Sequence, residues 1–210
     1  MYINIESYIE SHSTEESKVL EELFRETHLH AVHPRMVSGH IQGRLLSLLS
    51  RLKQPHRILE IGTYTGYSAI CLAEGLKTGG KLISIEINDE LEAINRKNIE
   101  KAGMCDKVQL ITGDAKTIIP ELTDEFELIF IDGNKQEYPE YYELSKSKLA
   151  SGGLLIADNA LWSGKVIKTA TDPQTREIQK FNNMVQEDPS MRNFILPVRD
   201  GLMIAEKIQA

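Results

Sequence analysis

The stretch that decides the fold is Arg57-Ile58-Leu59-Glu60-Ile61-Gly62-Thr63-Tyr64-Thr65-Gly66-Tyr67-Ser68. Residues 57–59 predict a buried strand, and Tyr67 begins a helical pattern that reaches Leu76. Gly62 and Gly66 allow the chain to turn tightly between these elements and let a ligand approach the start of the helix. A strand, a glycine turn and a helix in this order predict the first unit of an α/β sheet.

The same alternation continues toward the carboxyl terminus. Short apolar runs predict strands over residues 81–85, 108–111, 128–131 and 154–157, with helical patterns over 89–102, 117–122 and 138–149. Because strands that are apolar at consecutive positions are buried on both faces, we expect a parallel sheet with right-handed crossovers. After a helix near 176–186, strands over 194–198 and 202–206 flank Arg199-Asp200-Gly201, a link that suits an antiparallel hairpin.

The first third of the chain has helical patterns. Ser13 and Glu16 have the spacing of a capping box, and a helical apolar stripe follows at 19–24. A leucine-rich pattern predicts a second helix over 41–52, with a loop or short irregular segment over 28–36. We expect a single domain, residues 1–210, in which 1–53 form a helical cap and 54–210 form the α/β core.

Composition limits the classes of protein to consider. Two cysteines, Cys71 and Cys105, are too few for a disulfide framework or a thiolate zinc site, and they favour a reduced, cytoplasmic protein. Residues 1–6 do not resemble a signal peptide, and no run approaches the ~20 apolar residues of a membrane span, so no membrane association is expected. The net charge of −7 weakly disfavours a general nucleic-acid binder, with a local basic patch as the exception.

The predicted strand ends indicate a nucleoside-type cofactor. The glycines have G-x-x-x-G spacing instead of the dinucleotide G-x-G-x-x-G, and Glu60 precedes them, which suits a smaller ligand with a charged head such as S-adenosylmethionine. Glu86 ends the second strand, where an acid can accept both hydroxyls of a ribose. Gly113-Asp114-Ala115 follows the third strand, at the place expected for an adenine edge. In the alternative interpretation, the glycines serve only a turn and Glu86 caps the next helix.

Carboxylates follow the fourth and fifth predicted strands. Asp132 and Asp158 would lie about 5 Å apart at adjacent strand ends, and such a pair repels unless a positive charge lies between them. A hard divalent cation bound by Asp132, Asp158 and Asn159 would resolve the repulsion, and oxygen ligands favour Mg²⁺, Ca²⁺ or Mn²⁺ over zinc. In the alternative, Asp132 contacts the cofactor and Asp158 caps the following loop.

Three further features each have both a functional and a purely structural interpretation. Lys135 near a cation and a sulfonium should have a lowered pKa and act as a base, unless it is simply a solvated lysine. Trp162, the only tryptophan, would wall an aromatic pocket or fill the core under a loop. The spacing of His28, His30 and His33 fits no standard zinc motif, which favours a surface or pocket-edge position.

These motifs together resemble the small, metal-dependent class I O-methyltransferases, the group that contains the caffeoyl-CoA and catechol O-methyltransferases. The resemblance covers roughly residues 34–208. It rests on residues 60–68, Ile85-Glu86, Gly113-Asp114-Ala115, residues 131–135, residues 158–164 and the closing run 196–201. The family fold is Rossmann-like, with helices on both faces of a seven-stranded, mostly parallel sheet whose last strand is antiparallel. Its members are commonly homodimers, so a homodimer is expected.

The resemblance also implies roles at matching positions. Asp132, Asp158 and Asn159 would hold the cation, with Mg²⁺ expected first, and Lys135 would be the general base. The candidate cofactor residues are Val37, Glu60, Gly62, Tyr67, Ser68, Glu86, Asp114, Ala115 and Asp132. Met36, Trp162 and Arg176 are further candidates for contact with the acceptor. The implied reaction moves a methyl group from S-adenosylmethionine to a hydroxyl of a small vicinal-dihydroxy aromatic.

Two alternatives remain open for the function. Some bacterial members of the family methylate 5-hydroxyuridine in transfer RNA, and a basic strip of Arg35, Arg44, Arg51, Lys53 and Arg57 around the pocket would favour that acceptor. A cofactor-binding protein without catalysis is disfavoured by the intact polar motif. The sequence departs from the family near the second helix, where His40 and Arg44 are expected to alter the pocket mouth. The long substrate-recognition insertion of the plant enzymes also looks absent.

Overall fold

One sheet organises the chain in the computed structural model, which describes residues 4–208. Its strands span Arg57–Ile61 (β1), Lys81–Glu86 (β2), Val108–Thr112 (β3), Phe126–Ile131 (β4), Leu149–Ala157 (β5), Met191–Leu196 (β6) and Leu202–Lys207 (β7). The order across the sheet is β3-β2-β1-β4-β5-β7-β6. Strands β1 to β5 pair in parallel, and β7 pairs antiparallel with β5 and β6. The predicted seven-stranded sheet with an antiparallel last strand is confirmed.

Eight α-helices lie among residues 4–208. They span Ile5–Ser11 (α1), Lys18–His30 (α2), Gly39–Lys53 (α3), Tyr67–Ala73 (α4), Glu92–Lys101 (α5), Ala115–Glu121 (α6), Tyr138–Lys148 (α7) and Pro173–Glu187 (α8). Short 3₁₀ segments occur at Pro34–Met36, Asp89–Leu91, Lys135–Glu137 and Trp162–Ile167. Each helix predicted after residue 53 is present, with shifted boundaries.

The prediction of the N-terminal helix start was wrong. Helix α2 begins after Ser17, whose hydroxyl accepts a hydrogen bond from the Leu20 amide. Ser13 instead donates its hydroxyl to the Ile9 carbonyl, at the end of the unpredicted helix α1. A Ser can satisfy an orphan amide or an orphan carbonyl, so spacing alone does not tell a helix start from a helix end. The predicted loop over 28–36 is also shorter, because α2 continues to His30.

Two apolar layers cover the two faces of the sheet. Successive strand residues alternate between them, so that Leu59 packs with α6, α7 and α8 while Ile58 packs with α2 to α5. Phe181 of α8 and Leu46 of α3 are fully buried, one in each layer. Burial on both faces explains why the central strands read as continuous apolar runs.

The N-terminal helices are part of this core. Leu20 and Leu23 of α2 are buried in the same layer as Ile58. Helix α3 packs closely on α4 at Gly43, where an added Cβ atom would come within 2.6 Å of the Tyr67 ring. The segment that follows α2 is thereby held above the carboxyl ends of the parallel strands, where the predicted site lies. Within residues 4–208, no helix is long and apolar enough to cross a membrane.

Candidate active site

The predicted site residues occupy equivalent positions at the carboxyl ends of three central strands. Ile61 of β1, Ile131 of β4 and Ala157 of β5 lie side by side in the ladder. Gly62, Asp132 and Asp158 each follow one of them by a single residue. The ladder continues past the strand ends, because the Asp132 amide donates to the Ile61 carbonyl and the Asp158 amide to the Ile131 carbonyl. The parallel register therefore brings these three residues to one edge of the sheet.

Glycine is required at the turn after β1 for two reasons. The φ angle of Gly62 is 97°, which residues with a side chain rarely adopt. A Cβ atom at Gly62 would also lie 2.5 Å from the carbonyl oxygen of Asp132. Gly66, with φ of 87°, precedes the first residue of α4. The turn thus places the backbone of 62–66 close to the end of β4 and opens a cleft at the start of α4.

Glu60 lies beneath this turn, not in the cleft itself. The side chain is fully buried, and its two carboxylate oxygens accept hydrogen bonds from the hydroxyls of Ser68, at 2.5 Å, and Ser84. Burial raises the pKa of Glu60 to about 8, against the opposing effect of the two hydroxyl donors. As a predicted cofactor residue, Glu60 would therefore act through Ser68, whose hydroxyl it orients.

Glu86 and Asp114 lie at the ends of β2 and β3, as predicted. Glu86 accepts hydrogen bonds from the backbone amides of Tyr64, at 2.7 Å, and Asn88, at 3.0 Å. One carboxylate thus joins the glycine turn to the loop after β2. Asp114 caps α6 through the Lys116 amide, and Ala115, the first residue of that helix, is buried. Helix capping was the alternative role considered for Glu86, and it is Asp114 that caps a helix.

The cleft is bounded on its other side by the segment that precedes α3. Its lining residues are Met36, Val37, Ser38, Gly62, Thr63, Tyr64, Thr65, Tyr67, Ser68 and Asp132. Five of the predicted cofactor residues and one predicted acceptor residue are among them. The Tyr67 hydroxyl donates to the Glu16 carboxylate, and the Tyr64 hydroxyl donates to the His33 carbonyl at 3.0 Å. Both bonds fasten the N-terminal segment to the glycine turn.

Asp132 and Lys135 form an ion pair next to Asp158. The Lys135 ammonium lies 2.7 Å from Asp132 Oδ1. Burial raises the pKa of Asp132 to about 6, Lys135 opposes this rise, and the Asp158 charge adds to it. Desolvation acts to lower the pKa of Lys135, but the Asp132 charge and Tyr138 outweigh it, so that the pKa is raised. The lowered pKa expected for Lys135 depends on a neighbouring cation and sulfonium, so it stays a prediction.

Two amides complete the group around Asp158. Gln42 of α3 is fully buried and donates from Nε2 to Asp158 Oδ2 at 2.8 Å. The backbone N–H of Asn159 donates to Asp158 Oδ1 at 2.7 Å, and the side-chain Nδ2 of Asn159 donates to Asp200 at 3.1 Å. Sequence reasoning missed Gln42 and Asp200. A polar residue within the leucine-rich pattern of α3 was the available signal for Gln42.

These oxygens fit a hard divalent cation. Two carboxylates come together from adjacent strand ends; burial raises the pKa of Asp132, and the Asp158 charge adds to the rise. Because Asp200 takes the nitrogen side of the Asn159 amide, Oδ1 is the atom available for a cation. Carboxylate and amide oxygens are the ligands of Mg²⁺, Ca²⁺ and Mn²⁺. Asp132, Asp158 and Asn159 are the residues that would hold such an ion.

Other predicted residues lie farther from this group. Trp162 packs against the core layer that contains α8, in line with its core-filling alternative. Arg176 is exposed on α8, and among residues 4–208 no hydrogen bond or ion pair of its side chain joins it to another predicted site residue. His28, His30 and His33 are all exposed, and within the described ranges no three His, Cys, Asp or Glu side chains gather around a metal position.

The basic strip is divided: Arg35 lies in the segment that borders the cleft, whereas Arg44, Arg51, Lys53 and Arg57 are not among its lining residues. Arg44 and Arg51 both pair with Glu74, and Arg57 pairs with Asp124 at the opposite edge of the sheet. The expectation that Arg44 alters the pocket mouth is therefore wrong, because its side chain is paired with Glu74. His40 does border a neighbouring cavity of about 860 Å³ between α1, α2 and the β6–β7 hairpin, and its ring is bonded to the Thr14 carbonyl at 2.7 Å.

The sheet order, the antiparallel β7 and the cleft at the carboxyl ends of the parallel strands define a class I methyltransferase fold. A sequence model described as O-methyltransferase matches residues 10–208, and the chain belongs to this O-methyltransferase family. It is a methyltransferase, which removes the alternative of a protein without catalysis.

Named relatives and solved structures agree with this assignment. A catechol O-methyltransferase from Niastella koreensis is 37% identical over 174 residues, which cover 78% of this chain and 79% of that protein. A caffeoyl-CoA O-methyltransferase from Eucalyptus gunnii is 31% identical over 193 residues, which cover 85% of this chain and 78% of that protein. The crystal structure of an O-methyltransferase from Bacillus cereus in complex with SAH has a TM-score of 0.90 and 31% identity, over 97% of this chain and 96% of that one.

Proposed function

We propose that the chain is an S-adenosylmethionine-dependent and divalent-cation-dependent O-methyltransferase that methylates one hydroxyl of a small vicinal-dihydroxy aromatic. The observation that carries the proposal is the pairing of Asp132 and Asp158 at adjacent strand ends, beside a cleft lined by the glycine turn. The use of S-adenosylmethionine is supported by the solved relatives in complex with SAH or SAM. The catechol and caffeoyl-CoA relatives support a dihydroxy aromatic acceptor.

In the proposed reaction, different residues would bind the cofactor, hold the cation and accept the proton. The turn at Gly62 and the start of α4 would hold the cofactor, with Val37 over it and Glu86 at its ribose. Asp132, Asp158 and Asn159 would hold a divalent cation, whose positive charge would lower the pKa of the attacking hydroxyl. The acceptor oxygen would bond to the methyl carbon as the carbon–sulfur bond breaks, and that electron pair would stay on sulfur. Lys135 Nζ would take the hydroxyl proton, which requires a neutral amine; the charges of a bound cation and of the sulfonium would favour that form. Positioning of the two reactants supplies much of the acceleration.

A small acceptor is favoured over transfer RNA by the placement of the basic residues. Arg44, Arg51 and Arg57 are engaged in ion pairs, and the last of these lies at the amino end of β1, away from the cleft. Electrostatic capture of a polynucleotide needs cations grouped near the site. The acidic net charge of −7 acts in the same direction.

The proposed function is tested by methyl transfer from labelled S-adenosylmethionine to catechols, flavonoids and hydroxyuridine transfer RNA, each with Mg²⁺ and with excess chelator. We expect methylated catechol-type product only with Mg²⁺. The Asp158→Ala variant should lose this activity while SAH binding, measured by calorimetry, stays within about threefold of the unsubstituted protein. Asp124→Ala removes an aspartate at the far edge of the sheet and is the matched control. Equal activity in chelator would contradict cation dependence, and product from transfer RNA alone would replace the acceptor class.

The expected homodimer stays a proposal. Leu48 and Leu52 lie one turn apart on α3 and are 53% and 73% exposed. An apolar pair of this kind suits burial against a second subunit. Light scattering coupled to size-exclusion chromatography measures the mass directly.

A further inference from the structure

The turn of the β6–β7 hairpin is fastened to the segment that carries the predicted cation ligands. The backbone amides of Ala160 and Leu161 donate to the carbonyls of Gly201 and Asp200, each at 2.9 Å. A Cβ atom at Gly201 would lie 2.4 Å from Leu161 Cγ, so the hairpin turn packs tightly against this segment. Two charged residues of the turn, Arg199 and Asp200, therefore lie beside Asp158 and Asn159.

Arg199 has an uncommon backbone conformation for its residue type. Its φ angle is 51°, in the left-handed region that glycine adopts readily and residues with a Cβ atom disfavour. A glycine at this position would form the same turn with less strain. A strained residue at the edge of a functional cleft is a reason to look for a role of its side chain.

The Arg199 guanidinium makes four hydrogen bonds to the N-terminal part of the chain. Nη1 donates to the carbonyls of Val37, at 3.0 Å, and Ser38, and to Gln42 Oε1 at 3.3 Å. Nη2 donates to the Arg35 carbonyl at 3.3 Å. The same side chain therefore holds the segment over the cleft and contacts the buried amide that bonds to Asp158.

These contacts fix the direction of two side-chain amides. A guanidinium can only donate hydrogen bonds, so Gln42 must present its oxygen to Arg199 and its nitrogen to Asp158. A carboxylate can only accept, so Asn159 must present its nitrogen to Asp200. If Arg199 is removed, Gln42 Oε1 loses a donor and the amide is held less firmly against Asp158. If Asp200 is removed, Asn159 Nδ2 loses its acceptor and that amide is free to rotate.

We propose that Arg199 and Asp200 are positioning residues that hold the side-chain amides of Gln42 and Asn159 in place, and thereby hold Asp158 and Asn159 as oxygen ligands of the predicted cation. The inference rests on the proposed function, because it assigns these residues to the same cation site. Groups that orient metal ligands typically contribute 10–100-fold in metal affinity.

The test is Mn²⁺ binding to the full chain saturated with SAH, measured from the electron paramagnetic resonance signal of free Mn²⁺. Arg199→Gly removes the guanidinium and also relieves the backbone strain. We expect Mn²⁺ affinity to fall about tenfold or more. Gln54→Gly is the matched control, because Gln54 has the same φ of 51°, is exposed and lies at the end of α3 away from the site. It should leave Mn²⁺ affinity unchanged.

A second set of variants separates positioning from a purely structural role. Gln42→Met should weaken Mn²⁺ binding to a similar degree, and the double variant with Arg199→Gly should be little weaker than either single one, because both act through one amide. Arg199→Lys keeps a donor and should restore part of the affinity. If Arg199→Gly does not fold, Gln42→Met and Arg199→Lys still give the test.

The outcomes distinguish the inference from the function on which it rests. One outcome is that the unsubstituted protein binds Mn²⁺ and that Arg199→Gly and Gln42→Met bind it with the same affinity. This result would overturn the positioning role and leave the cation site in place. Absence of Mn²⁺ binding to the unsubstituted protein would overturn the cation-dependent function, and the positioning role with it.

Discussion

The buried carboxylate of Glu60 gives the clearest quantitative prediction. Glu60 is fully enclosed beneath the glycine turn, and within residues 4–208 its side chain is hydrogen-bonded to the hydroxyls of Ser68 and Ser84. The Glu60→Gln variant keeps the shape of the side chain and one acceptor while removing the titration. Its effect on the free energy of unfolding should therefore depend on pH in a way that a change of packing would not.

The sign and size follow from the raised pKa. The folded protein retains the Glu60 proton up to about pH 8, whereas the unfolded chain releases it near the ordinary value of 4.5. Between these values the folded state binds more protons, so stability conferred by the neutral carboxyl is lost as pH rises, by up to about 1.4 kcal/mol per pH unit. Across the window the difference between Glu60→Gln and the unsubstituted protein should grow in favour of the variant, on the order of 5 kcal/mol.

The assay is urea unfolding at several pH values from 4.5 to 8.5, followed by far-ultraviolet circular dichroism. The difference between the two proteins is the quantity to plot, because Asp132 and other groups titrate in both. Glu26→Gln is the control: its partly exposed carboxylate pairs with Lys101, which lowers the pKa of Glu26. The control difference should not change between pH 5.5 and 8.5. A Glu60→Gln difference that is equally flat would refute the assignment of a neutral buried carboxyl.

Two further predictions concern the cleft itself. Gly62→Ala should abolish SAH binding in calorimetry, because the added Cβ atom would meet the Asp132 carbonyl oxygen at 2.5 Å and the residue has a φ of 97°; binding within twofold of the unsubstituted protein would contradict the close approach. Lys135→Met should lower kcat by about 10²-fold or more, the usual contribution of a positioned acid or base, while SAH affinity changes little. An unchanged kcat would remove Lys135 as the proton acceptor.

The parts of the fold fixed by burial could be predicted from sequence. Strands β1, β2, β4 and β5 are buried on both faces, so their apolar runs stand out, and the residue after each run was identified as a site candidate. Register then brings Gly62, Asp132 and Asp158 together without any side-chain detail. The site residues that could be predicted were therefore those that directly follow a buried strand.

The remaining features depend on contacts between distant parts of the chain. Gln42 reaches Asp158 from a helix 116 positions earlier, and no local pattern indicates that pair. The raised pKa of Lys135 depends on a balance between desolvation and the Asp132 charge, which spacing does not give. Helix α1 was missed because Ile5–Ser11 has no buried residue, and an exposed short helix leaves little apolar periodicity.

The position of the carboxylates one residue beyond paired strand ends has a consequence for how such an enzyme can vary. An extra residue within β4 would turn Asp132 to the opposite face of the sheet, since successive side chains alternate. Relatives that are 31–37% identical show that most side chains are replaceable. The number of residues in β1, β4 and β5 is the stricter requirement, and insertions that alter acceptor choice should accumulate in the loops and helices around an unchanged strand count.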